Sequence, residues 1–389
     1  MQPFKTACRE AAWVFALSRL VIVIISFIAY FTISEVTRSL GQKCPLPVCI
    51  YFHWDFQAYV QIAHQGYRST QDVAFFPLWP LLVRFGGRLL GGLYPFSYYV
   101  AALLLANACF YFALVLLYRL LLEDFEASLA RRALFYLAFS PYALFFFLGY
   151  TESLFLLLCV AIFLLLRHGK ALDWWLAGAL GLLASLTRSS GIVLVVPFLV
   201  MYFQRFWTAG EHNRHNWVQK LGAFVPVFFI PAGMLIYMLY LWHVKGNPLI
   251  VNSQEANVWH RHFTLPWVGF TKLIQLLFSQ TLSPLNMSKN LIDLVLSLAF
   301  LATLAFGWRR LPLHYSLFAL ALALFALSFP VAIVEPLASM PRYLMIIFPI
   351  TVIFASWGKQ LRFDQFYLAL ALPLFAMNIL LFISHNWVA

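Results

Sequence analysis

YYVAALLLANACFYFALVLLY, from Tyr98 to Tyr118, runs twenty-one positions without a charged side chain and is closed by Arg119. A hydrocarbon core of about 30 Å is crossed by about 20 residues of helix, so this stretch is long enough to span a membrane. Comparable runs recur from Ala11 to Ser384, punctuated by charges, proline or glycine. Eleven candidate spans follow, starting near Trp13, Tyr98, Ala133, Glu152, Asp173, Gly191, Leu221, Leu291, Leu313, Tyr343 and Gln365. Between Ala133 and Leu166, Pro141 and the polar group Tyr150–Ser153 divide two helices. Composition agrees: 63% of the 389 residues are hydrophobic and only 10% are charged, against about 25% in soluble domains. The expectation is an all-α polytopic membrane protein forming one transmembrane domain over residues 1–389. Its first run, Trp13–Ile33, is too long for a signal-peptide core and lacks a cleavage site, so it reads as a retained span.

The net charge of +12 does not point to nucleic acid. The basic residues stand singly or in pairs at the ends of apolar runs, where they anchor helices, rather than in a stripe with interleaved aromatics. Their distribution sets an orientation. With the N-terminus inside, the cytoplasmic side holds Lys5 and Arg9, then Arg119, Arg131 and Arg132, then Arg167 and Lys170. Arg205, Arg214, Lys220, Arg309, Arg310, Lys359 and Arg362 follow on the same side. The short external connections keep Arg188 and Arg342. Two long loops then fall outside, at residues 34–97 and 245–290. In the first, Cys44 and Cys49 bracket a proline-containing turn and stand either as a bridge or as two free thiols. Cys8, Cys109 and Cys159 read as packing residues.

The first loop carries HWDFQAYVQIAHQGYRSTQDVAFFPLWP, His53 to Pro80. Trp54, Tyr59, Ile62, Ala63 and Tyr67 make an amphipathic stretch suited to a membrane interface. Asp55 is set among these aromatics, and two readings stand. A partly desolvated carboxylate is a better proton acceptor; alternatively, Asp55 is the N-cap of the helix that follows.

The run Trp54-Asp55, Tyr59, Ile62-Ala63, Gly66-Tyr67, Ala74-Phe75-Phe76-Pro77 and Pro80 resembles the PIG-V family, the second mannosyltransferase of GPI-anchor assembly and its prokaryotic relatives. The likeness continues at Tyr150-Thr151-Glu152-Ser153-Leu154-Phe155 and Thr187-Arg188-Ser189-Ser190-Gly191, and more loosely at Pro341-Arg342-Tyr343. It implies a type C glycosyltransferase architecture that takes a hexose, typically mannose, from a polyprenyl-phosphate or dolichyl-phosphate sugar. Transfer would occur away from the cytosol, by inversion, with Asp55 as the catalytic base. Many relatives carry glycine after this aspartate; here Phe56 stands in its place, which bears on how the acceptor approaches.

Transfer from a lipid phosphate also needs cations for the departing phosphate, and arginine binds phosphate oxygens through two parallel bonds. Arg342 and Arg188 are the leading candidates, with His53 and Arg68 behind them; snorkelling toward headgroups is the competing reading for the two arginines. Trp54, Tyr59, Glu152 and Glu335 complete the expected substrate-binding set, although Glu152 also suits a helix N-terminus and Glu335 also suits a pairing with Arg342. His64 reads as an interfacial hydrogen-bonder. No metal motif, GxGxxG or GxxxxGK[ST] occurs, so neither metal, cofactor nor nucleotide is expected. Gly86-Gly87 and Gly91-Gly92 read as close-packing positions. EANVWHRHF, Glu255 to Phe263, reads as an interfacial helix or a lid over the acceptor, and Asn286-Met287-Ser288 matches a glycosylation sequon.

The expected partners are therefore a polyprenyl-phosphate sugar, a lipid-linked or surface glycan acceptor and membrane lipid. The alternative function is a lipid or oligosaccharide transporter, which predicts ionisable residues near the bilayer midplane and internal symmetry. Compact external loops favour a prokaryotic plasma membrane, with the ER membrane as the alternative.

Overall fold

The computed structural model describes residues 4–32, 50–207, 216–279, 282–331 and 334–388. Cys44 and Cys49, with the bridge expected between them, lie outside the described residues. In chain order the helices are α1 (Phe4–Thr32), α2 (Asp55–Gln65), α3 (Leu78–Leu89), α4 (Phe96–Leu121), α5 (Ala127–Ala138) and α6 (Glu152–His168). Then come α7 (Ala171–Thr187), α8 (Val195–Phe206), α9 (Trp217–Phe224), α10 (Phe229–Lys245), α11 (Ile250–Val258) and α12 (Val268–Phe278). The last are α13 (Pro284–Gly307), α14 (Leu313–Leu327), α15 (Met340–Met345), α16 (Phe348–Trp357) and α17 (Leu361–Ile383). Among the described residues extended pairing is limited to one bridge, Arg261 with Val331. The protein is an all-α, multi-pass membrane protein.

Among the described residues six segments are long and apolar enough to cross a membrane: Phe4–Thr32, Phe96–Leu121, Ser189–Phe206, Trp217–Lys245, Asn286–Arg310 and Leu361–Ile383. The runs expected near Asp173 and Leu313 are shorter apolar helices, Ala171–Thr187 and Leu313–Leu327. The run near Tyr343 is broken into α15 and α16, because Pro349 has no N–H to bond the Met345 carbonyl four residues earlier and its ring clashes there. Pro141 has the same effect on the stretch from Ala133, where α5 ends at Ala138, a 3-10 turn occupies Ala143–Phe146 and α6 restarts at Glu152.

The chain divides into two compact units, each considered separately below. Unit 1 comprises Met1–Gly66, Trp79–Leu157 and Phe354–Ala389; unit 2 comprises Tyr67–Leu78 and Leu158–Ile353. In unit 1, α1 packs along α4, α5 and α17. Its buried stripe is Ala7, Ala11, Val14, Ser18, Ile22, Ser26 and Ala29, while Trp13, Leu20, Phe27 and Phe31 face outward. Small residues at every third or fourth position let helices approach closely without the help of water. One charge interrupts that stripe. Arg19 is buried, and its Nε donates to Asn107 Oδ1 at 2.8 Å, Nη1 to Ser18 Oγ at 3.0 Å and Nη2 to the Phe146 carbonyl at 2.8 Å. In unit 2, α7 packs along α10, where Gly181 meets Ile230 and Gly233 meets the Leu182 carbonyl.

Candidate functional site

In unit 1 the chain reaches Asp55 under several constraints. Trp54 adopts φ 56° and ψ −141°, a region that a bulky side chain rarely enters. Such a residue costs about 1–3 kcal/mol and persists only where its surroundings impose it. The kink starts α2 at Asp55, so the carboxylate sits in the first helical turn. Asp55 is thus not the N-cap; Trp54 holds that position with no side-chain capping bond. Backbone N–H groups at a helix start favour a negative charge there. The exposed Trp54 ring meets Trp387 edge-on at 5.4 Å.

His53 differs from its expected role. It is buried, its ring lies 4.8 Å from Phe382 and 4.4 Å from His385, and Nε2 is 2.9 Å from the Phe382 carbonyl. A carbonyl only accepts, so Nε2 carries the hydrogen. Burial, reinforced by His385, pushes His53 down to about 4. It is neutral near pH 7, and it fastens the approach to Asp55 onto the end of α17 rather than offering a cation to phosphate.

Phe56, the departure from the family pattern, is absorbed by the core. Its ring is fully buried and stacks on Tyr99 at 4.9 Å. Gly149 makes that possible, since a Cβ there would stand 2.2 Å from Phe56 Cε2. The Gly149 carbonyl in turn accepts from Trp79 Nε1 at 2.8 Å. Tyr59, also buried, lies 6.3 Å from Tyr150. Two motif segments distant in sequence, His53–Pro80 and Tyr150–Phe155, therefore meet around Gly149. Glu152 is fully buried and opens α6, again in the first turn, as a helix N-terminus favours. Beside it Ser153 Oγ donates to the Phe146 carbonyl at 2.9 Å.

In unit 2 the other two motif segments meet. Helix α7 ends at Thr187, Arg188 is extended at φ −156° and ψ 149°, and a 3-10 turn over Ser189–Leu194 folds back against α7. Gly191 permits this close return: its N–H donates to the Arg188 carbonyl at 2.9 Å, and a Cβ would lie 2.5 Å from the Ala184 carbonyl carbon. Ser339, at φ 66°, turns the chain into α15, which carries the buried Arg342. The Tyr343 ring gathers both candidates, with the guanidinium carbon of Arg188 at 5.1 Å from its centroid and that of Arg342 at 5.6 Å. A third guanidinium, that of Arg261, lies 5.2 Å from the same ring. It was not among the expected site residues; the signal was the basic-aromatic run EANVWHRHF.

The remaining candidates fall elsewhere. Arg68 is exposed, and its carbonyl accepts from Lys245 Nζ at 3.0 Å. Glu335 has a different partner from the one expected: its Oε1 is 4.0 Å from Lys289 Nζ. His64 stacks on Tyr94 at 4.4 Å within unit 1, as an interfacial aromatic pairing would. The loop segment Tyr67–Leu78 is held in unit 2 by Tyr67 Oη donating to the Phe75 carbonyl at 2.6 Å and Tyr237 Oη to the Val73 carbonyl at 2.7 Å.

Residues 48–246, which include Asp55, Glu152 and Arg188, match the family model described as mannosyltransferase (PIG-V). The chain belongs to the PIG-V mannosyltransferase family. It is 32% identical over 192 residues to GPI alpha-1,6-mannosyltransferase 2 of Cricetulus griseus, covering 48% of this chain and 37% of that protein. The Homo sapiens protein of the same name is 32% identical over 199 residues, covering 49% and 40%. The chain thus spans well under half the length of the relatives it matches. Among solved structures, the Archaeoglobus fulgidus oligosaccharyltransferase tethered to an acceptor peptide aligns with a TM-score of 0.46 at 14% identity, covering 96% of this chain and 54% of that one. Its apo form aligns at 0.44 and 13%, covering 95% and 55%. Arg261, Glu335 and Arg342 lie beyond the segment that carries the PIG-V match.

Proposed function

We propose that this PIG-V family member is a membrane-embedded transferase moving a mannosyl residue from a polyprenyl-phosphate sugar to a hydroxyl of a lipid-linked or surface glycan, within a type C glycosyltransferase architecture. The observation that carries the reading is the pairing of the family's motif segments. One pair presents a carboxylate at a helix start, and the other presents arginines on one aromatic ring. In the reaction the acceptor oxygen attacks the anomeric carbon and its proton passes to the Asp55 carboxylate. The bond from the anomeric carbon to the phosphate oxygen breaks, its electron pair remaining on that oxygen, and Arg188 and Arg342 stabilise the resulting charge. Attack opposite the phosphate inverts the anomeric centre. Trp54, whose ring is exposed, flanks the acceptor, while the buried Tyr59 and Glu152 shape the ground behind it.

The positive-inside distribution of charge supports an N-terminus in the cytoplasm and a reaction on the extracytoplasmic face, with the compact loops favouring a prokaryotic plasma membrane. A reporter fused at the N-terminus that scores as external would reverse this orientation. The chemical reading is tested with purified protein and radiolabelled polyprenyl-phosphate mannose. Loss of a general base typically costs 10²- to 10⁴-fold, so Asp55→Asn should fall by about that factor at unchanged membrane insertion. Undiminished transfer by Asp55→Asn would remove Asp55 from the mechanism. Movement of substrate across proteoliposomes without covalent transfer would replace the reaction by transport.

A further inference from the structure

Within unit 1 the approach to Asp55 is held from a second direction, by the residues that follow α17. Past Ile383 the chain turns back on itself. Ser384 N–H donates to the Leu380 carbonyl at 3.0 Å, Asn386 N–H to the Leu381 carbonyl at 2.9 Å and Asn386 Nδ2 to the Ser384 carbonyl at 3.2 Å. His385 makes the turn, at φ 60°. The Phe382 carbonyl accepts from the His385 N–H at 3.2 Å and lies 2.9 Å from His53 Nε2, so one oxygen joins this turn to the residue two before Asp55. The turn delivers Trp387, half-buried, to the Trp54 ring at 5.4 Å and 65°. Its base is firm. Asn378 Nδ2 donates to the Pro141 carbonyl at 2.9 Å, and the Phe382 ring meets Phe145 at 6.2 Å.

One indole pair therefore has a left-handed backbone on each side of it, Trp54 at φ 56° and His385 at φ 60°. Such conformations persist where the surroundings over-determine them, and they cluster where ligands are held. A tryptophan that merely anchors a helix among headgroups needs no kink. Trp13 and Trp217 are more exposed than Trp54 and stand on regular helix. Among the described residues Trp387 is the ring that Trp54 meets, and with that edge-on contact in place Trp54 is still 41% exposed. It thus keeps an open indole surface directly before Asp55. A pyranose suits such a surface: the C–H groups of one ring face pack on an indole, while the hydroxyls stay at the rim for hydrogen bonds. Near a base, the aim of that sugar matters, because a misplacement of about 1 Å can cost about 10²-fold.

We infer that Trp387 is a positioning residue of the acceptor site, holding the Trp54 indole where it packs against the sugar ring that carries the attacking hydroxyl. The inference rests on the proposed reaction. Trp387 acts through Trp54, so its effect falls on acceptor binding and on the alignment of the hydroxyl with Asp55, and not on donor affinity. It also lies outside residues 48–246, which carry the PIG-V match.

The test uses the full chain in a detergent without a sugar headgroup. Trp387→Leu keeps apolar bulk, Trp387→Phe keeps a ring, and both are compared with wild type, Trp54→Leu and the double variant Trp54→Leu/Trp387→Leu. Octyl α-D-mannopyranoside is the acceptor and binding probe, with 1-octanol as the chain alone. The measurements are KM for octyl mannoside and for polyprenyl-phosphate mannose, direct binding of octyl mannoside and of 1-octanol by calorimetry, and melting temperature. An aromatic pair contributes enough that Trp387→Leu should weaken octyl mannoside binding, and raise its KM, by about 3- to 10-fold. The donor KM should change by less than about 2-fold, and Trp387→Phe should recover most of the acceptor loss. In the Trp54→Leu background, Trp387→Leu should alter acceptor KM by less than about 2-fold, because its support has nothing left to hold. Donor and acceptor KM that rise together with a lowered melting temperature, or losses that multiply in the double variant, would reduce Trp387 to a structural contact and overturn the inference. Binding of 1-octanol that weakens in parallel with octyl mannoside would assign the pair to lipid and overturn it as well, as would a wild type that does not bind octyl mannoside. If the wild type binds octyl mannoside through Trp54 and Trp387 but transfers no mannose, the inference stands and the proposed reaction fails.

Discussion

Arg19 in unit 1 and the arginines around Tyr343 in unit 2 place the same side chain in two kinds of surroundings. Arg19 is caged. Three of its nitrogens donate to protein oxygens at 2.8–3.0 Å, and its guanidinium carbon lies 4.7 Å from the Phe15 ring and 4.3 Å from the Phe110 ring. Ionisable side chains within a span cost about 2.5–3.5 kcal/mol at the helix centre on insertion scales, and here the protein itself supplies the acceptors that offset the cost. The bonds tie α1 to α4 and to the 3-10 turn at Ala143–Phe146, so they fasten the fold. Arg188, Arg261 and Arg342 instead gather 5.1–5.6 Å from the centroid of one ring, that of Tyr343. The comparison teaches that an arginine near a membrane identifies neither structure nor function; the oxygens facing it decide.

The comparison breaks if the two arginine types respond alike to removal. Arg188→Met should cut transfer by about 10²- to 10³-fold, as does the loss of one donor to developing charge. Arg19→Met should do the reverse. It strands the Asn107 amide oxygen, at about 1–3 kcal/mol for a buried acceptor left without a partner, and leaves the Phe146 carbonyl with Ser153 Oγ alone. A lowered melting temperature with near-normal turnover of the surviving folded fraction is the expected result. An Arg19→Met protein that melts normally but fails to transfer would put Arg19 in the reaction and erase the distinction.

The next effect concerns the charge that is absent beside Asp55. His53 stays neutral down to about 4 in the folded chain but takes up a proton near its ordinary value of 6.5 once unfolded. Between those values the unfolded chain binds more protons, so stability falls as pH drops from about 6.5 to about 4, in total on the order of 3 kcal/mol. Melting curves at pH 7.5 and pH 5 should show the loss, and His53→Gln, which keeps an N–H for the Phe382 carbonyl, should flatten it. If His53→Gln keeps the full pH dependence, another group is responsible and His53 is not the neutral fastener described above.

A smaller effect separates packing from chemistry at position 56. Gly149→Ala would drive a methyl into the Phe56 ring, and overpacking a tight core costs about 1–3 kcal/mol. Phe56→Leu should restore part of that stability in the double variant. If the two changes simply add, the Phe56–Gly149 contact does not limit this core.

These contrasts explain what could be read from the sequence. The helices were legible because a membrane imposes one rule along the whole chain: apolar runs of sufficient length, interrupted where charge or proline forbids them. Asp55, Arg188 and Arg342 were legible through motifs, since their neighbours in sequence are also their neighbours in space. What escaped depends on distant partners. Arg19 is visible as a charge inside an apolar run, yet its acceptors Asn107 and Phe146 lie 88 and 127 positions away. The neutrality of His53 depends on Phe382 and His385, at the far end of the chain. Asp55 lost its capping role to a backbone kink at Trp54 that local propensity disfavours. Arg261 is held near Tyr343 by bonds to Glu255 and to residues 331–338.

Glu335 gives the smallest effect and the sharpest limit on the arginine cluster. A carboxylate bound to one of the cluster's arginines would compete with phosphate and weaken the site, as its position seven residues before Arg342 allows. The structure instead sets Glu335 4.0 Å from Lys289, with side chains 23% and 20% exposed. A pair this open and this long is worth about 0–1 kcal/mol. Glu335→Gln should therefore lower the melting temperature slightly, and no more than Lys289→Gln does. Transfer should stay close to that of the wild type, because the variant removes nothing that touches the Tyr343 arginines. A large gain in polyprenyl monophosphate affinity would show that Glu335 does compete there. A large loss of transfer confined to Glu335→Gln would mean that it contacts the sugar directly, and the site would then need a second carboxylate beside Asp55.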